Sequence, residues 1–278
     1  MTELVFPIAT PHPRPGAFAR LVRIELLKLT STRLGYGLLA ASAGLTALWT
    51  TLEASRAGQP GGPAPISTLA GQTSVITGGA WGLILAAVLG VTMSSGEFRH
   101  HTATLTYLAT PARGLVLAAK MVTGLFAGAV FGLVGYAITL ADGLAFTAGH
   151  GDRLVVGAAT LTDWGFGHLV SAALLAAIGV VAGTLVRSQL AAVIGVFAWT
   201  IIIESLIGGL FGTARPYLPY TAATALAGAP LGSANFGPAR GISGVAPLPF
   251  AAAAAYLAAI ALAGALIAAR TAVRRDIT

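Results

Sequence analysis

The sequence lacks cysteine and has few charged residues. None of the 278 residues is cysteine, which excludes a disulfide framework, a Cys-ligated metal and a thiol nucleophile. Charged residues make up only 9% of the chain, against about 25% in typical soluble domains. Hydrophobic residues make up 56%, and the mean hydropathy is +0.83. This composition excludes a soluble domain with a large core and indicates an integral membrane protein.

Motifs for nucleotide binding and for catalysis are also missing. No Gly-Lys pair occurs, so the chain has no P-loop, and no H-E-x-x-H motif occurs. His100 and His101 are adjacent, and on a helix they would point about 100° apart, which does not suit a shared metal. The stretch Gly241–Gly244 is similar to the G-x-S-G of intramembrane serine proteases, but no histidine follows His168 to act as the base. We predict no catalytic residue, metal or cofactor in this chain, and a membrane enzyme is the least favoured class.

Long apolar runs predict an all-α integral membrane protein with six transmembrane helices. The predicted spans are 34–53, 73–95, 119–141, 165–186, 189–210 and 248–269. A flexible cytoplasmic tail (1–15) and an amphipathic interfacial helix (16–33) precede the six-helix domain (34–269). A second cytoplasmic tail (270–278) follows it.

The segment 16–33 has a moderately amphipathic pattern. At 100° per residue, one face carries Phe18, Val22 and Leu29. The opposite face carries basic side chains, among which Ile24 and Leu27 also lie: Arg20, Arg23 and Lys28. The pattern predicts a helix in the membrane interface. The basic flank of the first span remains an alternative.

The basic residues are distributed unevenly between the two sides of the predicted topology. Of the 16 Lys and Arg residues, four fall on one side and the other twelve on the opposite side. The four are Arg56, Arg153, Arg215 and Arg240. The positive-inside rule places the side with twelve in the cytoplasm. Both termini and the loop 96–120 are therefore predicted to be cytoplasmic.

The outer side has three predicted loops, 54–72, 142–164 and 211–247. In the longest of them, 211–247, short helices folded back into the outer leaflet and a plain extracellular loop both fit the sequence. Glu204 is the only acidic residue well inside a predicted span. An ionised group there costs about 2.5–3.5 kcal/mol on insertion scales, so it should face protein or water. A pathway or subunit-interface role and an internal hydrogen bond remain open.

Small residues recur at four-residue spacing in three predicted spans, which predicts close helix packing. Packing within one chain is the favoured use, with a dimer seam as the alternative. The residues are Gly124, Gly128, Gly132, Gly179, Gly183, Gly208 and Gly212.

The loop 96–120, "GEFRHHTATLTYLATPARGLVLAAK", concentrates charge in a chain that has little. The stretch from Glu97 to Ala109 is predicted to form a short helix that Pro111 stops. Leu105 and Leu108 would lie near one face of this helix. A cytoplasmic helix with such a face predicts docking on a soluble protein.

The same loop resembles the intracellular loop of ABC-2 type transporter permeases, particularly those common in actinobacteria. The matching residues are Glu97, Arg99, Thr102, Pro111, Arg113 and Lys120. The resemblance continues in "RIELLKLTSTR", "GTLVRSQLAAVIGVFAWTIIIESLI", "PYLPYTAATALA" and "RRDIT", and covers most of the chain from about Ala17. The Gly/Pro-rich stretch 57–65 and the adjacent histidines depart from some relatives.

The resemblance implies a permease subunit in the cell membrane that works as a homodimer or heterodimer. A separate soluble ATPase would bind ATP and Mg, and membrane lipids but no nucleic acid would contact this chain. The implied ATPase contacts are Glu97, Arg99, His100, Thr102, Leu105, Pro111 and Arg113. The first and fifth spans would form the seam between permeases, with Glu204 near the seam or pathway.

Two questions stay open in the sequence. A stand-alone channel or sensor without an ATPase is the alternative function. The transported substrate is not indicated by any residue pattern, and export rather than import follows from the resemblance alone.

Overall fold

The computed structural model describes residues 16–99, 113–186, 188–231 and 245–271, which are helical or irregular and contain no strand. Ten α-helices within these residues are α1 (Ala17–Ser31), α2 (Arg33–Ser55), α3 (Leu69–Ile76), α4 (Ala80–Arg99), α5 (Arg113–Gly149), α6 (Ala158–Val186), α7 (Gln189–Phe197), α8 (Glu204–Leu210), α9 (Pro219–Leu226) and α10 (Phe250–Arg270). A π-helical turn, Ala198–Ile203, joins α7 to α8, and a 3-10 helix, Gly212–Tyr217, precedes α9.

Five stretches of the described chain are long and apolar enough to cross a membrane. They are Leu69–Gly96, Gly114–Gly149, Ala158–Val186, Gln189–Leu210 and Phe250–Arg270. These stretches overlap the last five predicted spans. The prediction of an all-helical protein is therefore confirmed for the described residues, with five helical stretches compatible with a membrane protein. The first predicted span coincides with α2, which does not meet the same criterion. Its hydroxyl-bearing residues, such as Thr46, Thr50 and Thr51, lower its hydropathy.

The α1 and α2 helices are separated by a single residue. Thr32 has φ −101° and ψ 137°, an extended conformation that ends α1 before α2 begins at Arg33. A helix is therefore present within the predicted 16–33 segment. Its placement in a membrane interface remains a prediction.

Several helices extend beyond the predicted spans on the side assigned as outer. Much of the predicted loop 142–164 is helical, because α5 continues to Gly149 and α6 begins at Ala158. The prediction ended where the apolar run meets Asp142, but a helix needs no apolar side chains beyond the hydrocarbon region. Asp142 instead accepts hydrogen bonds from Thr50 and Thr51 of α2. The predicted loop 54–72 likewise contains the start of α3, capped by the Thr68 hydroxyl.

The centre of the molecule is formed by α4 and α6. In α4 the run from Leu83 to Leu89 is buried, and it shares a core with Leu175 and Ala176 of α6. The most apolar window of Leu69–Gly96 is 82% buried, whereas the windows of Gln189–Leu210 and Phe250–Arg270 are each 17% buried. These last two stretches therefore lie at the periphery of the chain.

Glycines allow the central helices to approach closely. A Cβ on Gly179 would lie 2.0 Å from the carbonyl oxygen of Ala87, and a Cβ on Gly128 would lie 2.5 Å from that of Ala172. Gly132 and Gly183 make equally close approaches to neighbouring backbones. The prediction that this spacing serves packing within one chain is confirmed for these four residues.

The segment after α8 folds back into the helical core. Six of the eight residues of α9 are buried, and the Ser171 hydroxyl of α6 donates to the carbonyl oxygen of Ala223 at 2.7 Å. Gly167 lets α6 approach α9, because a Cβ there would lie 2.2 Å from the carbonyl oxygen of Leu226. Short helices are observed over Gly212–Tyr217 and Pro219–Leu226 of the predicted loop 211–247, and their position in an outer leaflet stays a prediction.

Candidate functional site

The predicted docking loop has helical stems. The α4 helix ends at Arg99, so Glu97 and Arg99 are in its last turn, and Arg113 is the first residue of α5. The side chains of these three residues are outside the described part. The other predicted contacts, His100, Thr102, Leu105 and Pro111, lie outside the described residues altogether. Their contacts with an ATPase remain predictions.

A buried ion pair connects α1 to α5 near these stems. Glu25 of α1 and Lys120 of α5 are each 4% exposed. The Lys120 Nζ lies 2.9 Å from the Glu25 Oε2 and also donates to the carbonyl oxygen of Met93 in α4 at 3.3 Å. The second carboxylate oxygen of Glu25 accepts from Lys28 at 2.7 Å. The Lys120 ammonium group thus contacts both α1 and α4 from its position on α5.

Burial makes this pair energetically important. Removing one partner of a buried ion pair typically costs about 3–5 kcal/mol, because the remaining charge is left without compensation. Replacing both partners by apolar residues is often neutral in stability. The intact pair therefore contributes little net stability, although either charge would be costly to leave buried alone.

Glu25 is not among the site residues predicted from the sequence, although its position in the pattern is a signal. Glu25 follows Val22 by three residues and precedes Leu29 by four, so it lies on the face predicted to be apolar. Among the charged residues, the amphipathic pattern predicts a face only for the basic residues Arg20, Arg23 and Lys28. A buried acidic residue needs a cation or hydrogen-bond donors beside it, and for Glu25 the Lys120 ammonium group supplies both.

The predicted basic residues of α1 have different environments. Arg20 and Arg23 are exposed, whereas Lys28 is half-buried and paired with Glu25. Ile24 and Leu27 are 47% and 56% exposed, so α1 presents a mixed apolar and basic surface. Such a surface suits either a membrane interface or a protein partner.

Glu204 is fully buried and has four hydrogen-bond donors. Its Oε1 accepts from the Trp199 indole at 2.8 Å and from the backbone N–H of Tyr220 at 2.7 Å. Its Oε2 accepts from the backbone N–H and the hydroxyl of Thr221 at 2.9 and 3.0 Å. The carboxylate therefore caps the N-terminus of α9, where backbone N–H groups are unpaired and the helix dipole favours a negative charge. The internal hydrogen bonding left open by the sequence is observed.

The π-helical turn makes this arrangement possible. Trp199 and Glu204 are five residues apart, a spacing that an α-helix places on different faces. In a π-helix the i to i+5 hydrogen bonds bring residues at this spacing to a similar side. The indole N–H of Trp199 can therefore reach the carboxylate that follows it in the same span.

Arg215 lies next to this region and is also buried, at 2% exposure. Its Nε donates to the carbonyl oxygen of Gly208 at 2.8 Å, and Gly208 leaves room for the side chain. The sequence predicts that Arg215 lies on the outer side, which stays a prediction, and the structure shows that its side chain is buried. Among the described residues, its Nη1 atom has no hydrogen-bond partner.

No protein-family model matches the chain, and no curated protein matches it either. In the described part of the chain, no group of three or more His, Asp or Glu side chains is placed to hold a metal ion. Within the described residues, Glu25 forms ion pairs with Lys120 and Lys28 near the loop stems, and the Glu204 carboxylate caps the inner helix α9. Both arrangements position helices.

Proposed function

We propose that this chain is the permease subunit of an ATP-driven exporter of the ABC-2 type, working as a dimer with a separate soluble ATPase. The ATPase would bind ATP and Mg and would contact the loop 96–120 through Glu97, Arg99, His100, Thr102, Leu105, Pro111 and Arg113. The order of the matching motifs along the chain supports this proposal.

The observation that carries the proposal is the attachment of α1 to both stems of the charged loop. Lys120 lies about two helical turns from the start of α5, and Met93 lies about two turns from the end of α4. The Lys120 ammonium group contacts the Glu25 carboxylate of α1 and the Met93 carbonyl oxygen of α4, and in this way connects α1 to both stems. An ATPase that docks on the loop would therefore move α1, α4 and α5 together. A transporter requires such coupling between ATPase and helices, whereas a loop without a partner does not require it.

We further propose that α2 is a sixth membrane span. Its first turns lie beside Phe126 and Val130 of α5, in an apolar groove that Leu26 and Leu29 of α1 also line. Its last turns contact Asp142 of α5 through Thr50 and Thr51. The 23 residues of α2 cover roughly 35 Å at 1.5 Å per residue, and a bilayer core is about 30 Å thick. Six spans would place both termini in the cytoplasm of a cell-membrane protein, as the basic residues indicate.

The second permease is proposed to pack on α2 and on the stretch Gln189–Leu210. Large apolar side chains are exposed there, including Leu48 at 58%, Ile202 at 63% and Leu206 at 59%. The peripheral position of Gln189–Leu210 agrees with the seam implied by the resemblance. In this arrangement Glu204 acts indirectly, because its carboxylate holds α9 against a seam helix.

Co-purification from native membranes in mild detergent tests the proposal. We expect the tagged chain to recover a soluble ATPase that contains a P-loop. The double charge reversal E97K/R99E should lose this ATPase, because it inverts the charges at the base of the loop. The matched control is R56E, an exposed charge reversal at the opposite end of the helices.

Recovery of the ATPase by R56E and its loss from E97K/R99E would support the proposal. A wild-type chain that is recovered alone in several detergents, and whose function persists when every candidate ATPase is deleted, would contradict it. That outcome would favour the stand-alone channel or sensor.

A further inference from the structure

The buried contact among Glu25, Lys120 and Met93 joins three helices at one point. The Lys120 Nζ contacts the Glu25 carboxylate of α1 and the Met93 carbonyl of α4, while its own backbone belongs to α5. The side chains of Lys120 and Glu25 are 4% and 5% exposed. Water therefore cannot replace either partner without a rearrangement of the helices.

Apolar packing already attaches α1 to the rest of the molecule. Leu29 packs against the central core, and Leu26 and Leu29 line the groove shared with α2 and α5. Apolar contacts of this kind have no direction and permit sliding. A buried ion pair has one favourable geometry, because any displacement separates opposite charges in a medium of low dielectric. Apolar packing thus holds α1 against the other helices, and the ion pair restricts its position along them.

We propose that the Glu25–Lys120 ion pair makes α1 and the two stems of the loop 96–120 move as one body. A displacement imposed on the loop would then be carried into α1 through this contact. Lys28 holds the other carboxylate oxygen of Glu25 and is 42% exposed. It therefore orients the carboxylate but is not needed for the connection itself. The inference rests on the proposed function for the source of the displacement.

Spin-label distances measure this coupling directly. The chain has no cysteine, so A19C and G114C provide the only two labelling sites, both at exposed positions on α1 and α5. The test variant is E25M/K120M, which removes both charges and keeps the length of both side chains. The matched control is K28M, which removes the second, half-exposed partner of the same carboxylate.

We expect the wild-type distance distribution to be narrow and unchanged by Mg-ATP in the purified complex with its ATPase. In E25M/K120M the distribution should broaden and shift with nucleotide, and ATP hydrolysis by the complex should fall roughly 2- to 30-fold. ATPase recovery and the thermal unfolding midpoint should stay at the wild-type level, because neutral replacement of a buried pair preserves stability. K28M should behave as the wild type.

The proposal is overturned if E25M/K120M keeps the narrow distribution and the wild-type hydrolysis rate. It is also overturned if the wild-type distance shifts with nucleotide as much as in the double variant. If the wild-type chain recovers no ATPase, the proposed function fails separately. In that case the inference is tested by the widths of the distance distributions of the isolated wild type and E25M/K120M without nucleotide. Equal widths would overturn it, and a broader distribution in the variant would support it.

Discussion

At the scale of residues, Glu25 and Glu204 show two ways of keeping a carboxylate inside an apolar protein. Glu25 is matched by the ammonium groups of Lys120 and Lys28. Glu204 instead accepts four hydrogen bonds, of which two come from backbone N–H groups at the start of α9. Burying a charge is costly unless it is paired and hydrogen-bonded. Each glutamate therefore determines where another element must lie.

The variant E204Q should destabilise the protein. A glutamine side chain has only one acceptor oxygen. Its NH2 group would face N–H or O–H donors of Trp199, Tyr220 or Thr221, which then lose their acceptor. Leaving buried donors unsatisfied should cost about 2 kcal/mol. Chemical unfolding of the purified chain in detergent measures this loss.

The control for E204Q is D163N, which makes the same chemical change at an exposed position of α6. D163N should unfold like the wild type. An E204Q variant as stable as D163N would show that the four hydrogen bonds do not determine the position of α9.

At the scale of elements, the arrangement of α4, α5 and α6 depends on backbone contact through glycines. Gly128 of α5 lies against α6, where a Cβ would come within 2.5 Å of the Ala172 carbonyl oxygen. Gly135 lies on the same helix, and a Cβ there would meet nothing within 4 Å. The two glycines have the same backbone conformation and differ only in their neighbours.

We therefore expect G128A to destabilise the protein by about 1–3 kcal/mol through overpacking. G135A should be neutral or slightly stabilising, since alanine favours helix formation by up to about 1 kcal/mol. Thermal unfolding of both variants in one detergent gives the comparison. Equal midpoints for G128A and G135A would contradict the observed approach of α5 to α6.

The spans could be predicted from the sequence more fully than the sites. Apolar runs placed the central parts of α4, α5, α6 and α10, because the bilayer requires about 20 apolar residues per span. The end of α5 at Gly149 and the start of α6 at Ala158 were not predicted, since hydropathy falls at Asp142 before α5 ends. The partners of Glu204 are backbone N–H groups of Tyr220 and Thr221, which no side-chain pattern reveals.

At the scale of the whole molecule, the number of spans determines where the two ends of the chain lie. The five most apolar stretches alone would place the residues before α3 and after α10 on opposite sides of a membrane. With α2 as the proposed sixth span, α1 and the end of α10 lie on the same side. That side is the one with most of the basic residues, in accordance with the positive-inside rule.

Cysteine labelling on intact cells tests this topology, because the parent chain has no thiol to contribute background. T32C and R56C place single cysteines at the two exposed ends of α2. We expect R56C to react with a membrane-impermeant maleimide in intact cells and T32C to react only after permeabilisation. S188C, at the exposed turn between α6 and α7, is predicted to lie on the cytoplasmic side and should behave like T32C. If T32C and R56C react equally in intact cells, α2 does not cross the membrane, and the two ends of the chain lie on opposite sides.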